Sequence, residues 1–171
     1  MITRKTLRLG LAASLLTTAA CWSSTVPADP PDGWDFRRFD EALRLAEQEQ
    51  RPVFLYFGRQ GCPSCDKTNR ESFSDKRVAA RYQANYVLAY ADAESGDRLR
   101  LPNGERITEM ELGVRLNVFG TPFFYVMEPD GSPVARLPGY QDAQEFLLFD
   151  SYVSGGHYQQ QTFAEFKRTG S

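Results

Sequence analysis

A chain of 171 residues is long enough to bury one proper core, and its apolar and aromatic content is that of a globular protein. Its 20 basic and 22 acidic residues give a net charge of −2 with no basic patch, which excludes nucleic acid as a partner. One histidine, and only two cysteines once the N-terminal Cys21 is lipidated or discarded, leave a zinc site short of ligands.

Arg4, Lys5 and Arg8 precede the apolar run from Leu9 to Ala20, a charged segment followed by a short hydrophobic one. Spanning a bilayer takes about 20 apolar residues, so the pattern is that of an export signal. Two processing points stay open. Thr18-Ala19-Ala20-Cys21 resembles a lipoprotein signal, with Cys21 as the lipidated first residue and Thr18 where leucine is usual. Val26-Pro27-Ala28 offers ordinary cleavage, which discards Cys21. The organisation expected is a signal over 1–21, a flexible linker over 22–33 and one folded domain over 34–171. Without the signal, 17 basic residues face 22 acidic ones, a net charge of −5.

Phe39, Ala42, Leu43 and Ala46 recur at helical spacing and predict a helix over 40–50. Pro52 opens an unbroken apolar run, Val53–Phe57, the pattern of a strand buried on both faces. Cys62-Pro63-Ser64-Cys65 follows, predicted to begin a helix that runs to about Phe73, with a second short helix from about Asp75. A strand over 86–92 comes next. The polar segment 94–107 carries Pro102-Asn103-Gly104, a turn or hairpin signal. Thr108 with Glu111 three residues on forms a capping box for a helix over 108–116. Strands over 123–127 and 133–137 flank the turn Pro129-Asp130-Gly131, and helices over 142–153 and 162–167 close the chain.

The chemistry concentrates at Cys62 and Cys65. A helix N-terminus stabilises a thiolate on the first thiol, and the second lies one turn away, in reach of a disulfide. Pro63 fits the first helical turn without loss of a hydrogen bond. Ser64 adds a hydroxyl near the thiolate. A purely structural bridge would close too small a loop to stabilise much. Haem attachment would need histidine after Cys65, where Asp66 stands.

With Cys62–Cys65 at the first strand–helix junction and Gly120-Thr121-Pro122 before a hydrophobic strand, the chain from residue 34 resembles the thioredoxin-like superfamily. The closer resemblance is to SoxW-type periplasmic thioredoxins, carried by Arg51-Pro52-Val53-Phe54-Leu55, Gly61-Cys62-Pro63, Leu137-Pro138-Gly139-Tyr140 and the segment from Tyr152 to Tyr158. The resemblance implies an α/β thioredoxin-like fold, a central mixed β-sheet flanked by helices, with a hairpin-like insertion before the cis-Pro loop. It implies Cys62 as attacking thiol and Cys65 as resolving thiol, with no cofactor beyond that pair. It implies a cis bond at Pro122, and main-chain recognition of an extended substrate by Gly120, Thr121 and Pro122.

Two departures stand out. Tyr56 occupies the position of a buried aspartate that assists proton transfer in thioredoxin proper, and Gly61 replaces the tryptophan before the first cysteine. Asp66, Glu111 or a water is then expected to take the proton-transfer part.

Phe123, Phe124, Tyr125 and Phe146–Phe149 read as core, Trp34 as an anchor at the domain's start and His157 as a surface or packing residue. The function expected is that of an exported, periplasmic thiol-disulfide oxidoreductase, a monomer with or without a lipid anchor. Its partners would be client protein thiols and disulfides and a transmembrane thiol carrier as electron donor. A disulfide-donating oxidase and a non-catalytic client-binding chaperone are the alternatives.

Overall fold

The computed structural model describes residues 30–169; the segment expected to be an export signal, with Cys21 and both expected processing points, lies outside them. Residues 30–33 form neither helix nor strand. The sheet is built from β1 (Arg37–Arg38), β2 (Val53–Gly58), β3 (Val87–Asp92), β6 (Phe123–Met127) and β7 (Pro133–Pro138), in the order β1-β3-β2-β6-β7. β3 runs parallel to β1 and β2, whereas β6 is antiparallel to both β2 and β7, so the sheet is mixed.

β2 is central and buried at every residue. Because side chains alternate along a strand, it feeds two cores. Phe54 and Tyr56 join one core with α3 (Lys76–Asn85) and α5 (Ala143–Ser154), through Val78, Tyr82, Phe146 and Phe149. Val53, Leu55 and Phe57 join the other with α1 (Phe39–Glu49) and α4 (Glu109–Arg115). The first core is aromatic. Phe54 stacks on Phe124 at 5.6 Å, and Phe73 and Phe146 close edge-on around them, contacts worth about 0.5–1.5 kcal/mol each beyond burial. Trp34 anchors the entry to the domain: its ring packs on Phe73, and its indole N–H donates to the Phe73 carbonyl at 3.1 Å.

The segment before α4 is a hairpin, β4 (Arg98–Arg100) paired antiparallel with β5 (Arg106–Thr108), whose Leu99 and Ile107 are buried in the second core. The Thr108–Glu111 capping box forms as the sequence predicts. α6 (Phe163–Thr169) docks through Phe166, against which His157 packs at 4.7 Å.

Two elements differ from expectation. β1 was not predicted, because two exposed arginines carry no alternation. The helix expected to run unbroken to Phe73 is α2 (Pro63–Lys67) followed by a π-helical turn over Thr68–Ser72. There the Phe73 N–H donates to the Thr68 carbonyl, and the Thr68 hydroxyl donates back to the Ser64 carbonyl at 3.0 Å. The widened turn lets Phe73 enter the core while the Ser72 hydroxyl reaches the Gln141 carbonyl.

Candidate active site at the C-terminal end of strand β2

β2 leaves the sheet at Gly58, where a Cβ would strike the Tyr90 hydroxyl at 2.7 Å. The loop then turns at Gly61, whose φ of 65° favours glycine, and that is the physical reason a tryptophan is missing there. Cys62 follows as the N-cap of α2 and Pro63 as its first helical residue.

Cys62 and Cys65 are joined in a disulfide with Cα atoms 5.2 Å apart. Cys65 is fully enclosed, whereas Cys62 keeps 2% of its surface and lies between the exposed Gly61, Pro63 and Ser64. Two donors converge on the Cys62 sulfur: the Cys65 N–H at 3.1 Å and the Thr121 hydroxyl at 3.3 Å. The Thr121 carbonyl oxygen lies 3.5 Å from the same atom. Both donors would grip a thiolate more strongly than a disulfide sulfur, because hydrogen bonds to an ionised acceptor are about twice as strong.

The Thr121–Pro122 bond is cis. Among the described residues the Thr121 N–H and C=O take no part in backbone pairing, and the ladder between β2 and β6 begins only at Phe123. Gly120 and Ser64 are exposed beside them. The structure therefore brings Cys62, Cys65, Pro63, Gly120, Thr121 and Pro122 to one place. A cavity of about 510 Å³ lined by Arg51, Pro52, Tyr86 and Tyr158 lies at the opposite end of β2 and plays no part in this chemistry.

Of the groups expected to assist proton transfer, Glu111 is committed to its cap, its carboxylate accepting the Thr108 N–H at 2.7 Å, and Asp66 is exposed on the first turn of α2. A buried carboxylate beside the end of β2 is one the sequence did not single out. Glu109 accepts the Asp92 N–H at 2.9 Å, where β3 ends beside Gly58. Burial raises its pKa from the ordinary glutamate range, against the Asp92 N–H bond that lowers it. The capping box placed Glu109 in the first helical turn, yet nothing in the pattern showed that it faces inward.

A profile described as a thioredoxin-like domain matches residues 39–153. The chain belongs to the thioredoxin-like family. The thiol:disulfide interchange protein DsbD of Ralstonia nicotianae is 34% identical over 110 residues, 63% of this chain but only 16% of that protein. The chain thus matches about a sixth of the length of such curated relatives. A thioredoxin from Thermus thermophilus superposes with a TM-score of 0.58 at 31% identity, covering 71% of this chain and 87% of that one. The reduced C-terminal domain of Neisseria meningitidis DsbD shares the fold, with a TM-score of 0.51 at 22% identity over 65% of this chain and 90% of that one. The mixed five-stranded sheet with helices on both faces and its small hairpin sheet is a thioredoxin-like fold, and Cys62–Cys65 is its redox pair.

Proposed function

We propose that this thioredoxin-like thiol-disulfide oxidoreductase acts in the periplasm as a reductase of client-protein disulfides, in the manner of SoxW-type thioredoxins. The observation that carries the reading is the division of labour between the two sulfurs. Cys62 holds the residual exposure and two hydrogen-bond donors, and Cys65 is enclosed behind it. The Cys62 thiolate attacks a client disulfide, forming a mixed disulfide and releasing one client thiolate. Cys65 then attacks the Cys62 sulfur, its proton going to solvent, and the second client thiolate leaves. Two electrons pass to the client and leave the Cys62–Cys65 pair as a disulfide, which the dithiol of a membrane thiol carrier reduces back to two thiols, the carrier itself becoming a disulfide. The likeness to DsbD, named for thiol:disulfide interchange, supports such exchange.

The open N–H and C=O of Thr121 suit an extended client segment added as a strand. Phe119, 81% exposed one residue before Gly120, offers that segment an apolar contact. The charged and apolar N-terminal segments support export, and Cys21 is the residue for a lipid anchor.

Titration of the pair in thiol buffers tests the direction. A potential near about −270 mV marks a reductase, and one near about −120 mV marks a disulfide donor. The mass of the processed N-terminus tests export and lipidation of Cys21.

A further inference from the structure

Tyr56 sits in the middle of β2 with none of its surface exposed, and its hydroxyl has no hydrogen-bond partner among the described residues. Other buried tyrosines behave differently. The Tyr82 hydroxyl donates to the Phe146 carbonyl at 2.9 Å, that of Tyr86 to Asp150 at 3.0 Å and that of Tyr152 to the Gln161 carbonyl at 2.7 Å. An unpaired buried hydroxyl costs about 1–3 kcal/mol, and phenylalanine would fill nearly the same volume without that cost. Packing alone therefore gives no reason for the oxygen.

Its surroundings do. Tyr56 belongs to the packed cluster that contains Cys62 and Cys65. The rings of Phe36, Phe73, Tyr90 and Phe124 pack against it at centroid distances of 6.0, 5.7, 5.3 and 5.1 Å. Burial raises its phenol well above the ordinary tyrosine range, and the nearby Tyr90 and the Asp66 charge push the same way. Asp66 is the residue after Cys65, which places the start of α2 within electrostatic reach of this ring. A phenol so held stays protonated. It is a donor and cannot act as a base.

We propose that Tyr56 is a positioning residue for the resolving thiol, its hydroxyl donating a hydrogen bond to the Cys65 sulfur, directly or across one water, once the disulfide opens. In the oxidised protein that sulfur is a weak acceptor. When an incoming thiolate bonds to the Cys62 sulfur, the Cys62–Cys65 bond breaks and Cys65 leaves with the electron pair as a thiolate in an apolar enclosure. The Tyr56 O–H then meets a charged acceptor and keeps its own proton. In the reverse step the same bond favours the thiolate that Cys65 must become before it attacks. The inference rests on dithiol exchange at Cys62–Cys65, but not on its direction or its client.

The test uses the full chain with Cys21 and Cys62 both replaced by serine, so that Cys65 is the only thiol. Its pKa is read from the carbon NMR shift of its Cβ against pH. Tyr56→Phe is expected to raise that pKa by about one unit, a tenfold loss of thiolate at a given pH, while the thermal midpoint stays level or rises. An unchanged Cys65 pKa beside a raised midpoint would make the hydroxyl a passive core atom and sink the proposal.

A second reading needs no substitution at Tyr56. In otherwise native protein its ring Cζ resonance should move on reduction of the disulfide, and a Cζ that stays put counts against the bond. Both measurements are made without a client. A protein that shows them yet reduces no client disulfide supports Tyr56 and overturns the proposed function.

Discussion

The Thr121 hydroxyl points at the Cys62 sulfur from 3.3 Å, across 59 residues of sequence. With the Cys65 N–H on the same atom, it sets how easily Cys62 ionises. Thr121→Val keeps the shape and removes one donor. A thiolate loses more by this than a disulfide sulfur does, so the reduced state is the one destabilised. The Cys62 pKa should rise by about one unit and the reduction potential should fall by about 30 mV, the equivalent of about 1.4 kcal/mol. Alkylation rate against pH and redox titration check the two shifts. A potential that rises would show that the donor serves the disulfide instead.

Cys65→Ser removes the resolving group and leaves the attacking thiol of Cys62, which keeps 2% of its surface, in place. Client reduction should stall at a mixed disulfide on Cys62, recoverable by gel and mass analysis, whereas Cys62→Ser should trap nothing. Trapping through Cys65 in the Cys62→Ser protein would reverse the assignment of roles.

Much of this site was legible because its chemistry is local. Cys62 to Cys65 is a contiguous motif, and the apolar run Val53–Phe57 could be read as a strand buried on both faces, since both alternating sets of side chains are apolar. The hairpin at Pro102-Asn103-Gly104 and the Thr108–Glu111 capping box were likewise written in short-range signals. What stayed hidden depends on distance in the chain. The inward turn of Glu109 toward Asp92 and the π-helical turn at Thr68–Ser72 are decided by neighbours far along the sequence. The orphan state of the Tyr56 hydroxyl could not be read either. A tyrosine in a strand announces burial of its ring but says nothing of where its oxygen ends.

Phe119 separates recognition from redox chemistry. It is 81% exposed and meets the buried Phe123 edge-on at 5.4 Å. Phe119→Ser should leave the reduction potential and thermal midpoint nearly unchanged. It should raise KM for an unfolded client disulfide several-fold, because a surface ring only partly covered by the client recovers a fraction of the about 1.5–3 kcal/mol of full burial. Steady-state kinetics on a small disulfide and on a protein client check this. An equal loss on both substrates would place the ring in the chemistry rather than in recognition.

Glu109 gives the fold a pH dependence of definite sign. Its carboxyl is buried, and burial raises its folded pKa above the unfolded value; the Asp92 N–H bond and Arg38 oppose the rise, and Asp97 and Asp92 add to it. The native state therefore holds this proton more tightly than the unfolded chain does. Its contribution to stability is greatest below the ordinary glutamate range and is lost as pH climbs from there through the raised value. Glu109→Gln keeps an oxygen to accept the Asp92 N–H and removes the charge. The variant should melt higher than the parent at neutral pH, and the gap should close as the pH falls toward about 4. Thermal unfolding of both proteins across that range provides the check. A gap that widened toward acid would mean that Glu109 is stabilised as the anion, with Arg38 rather than burial deciding its charge.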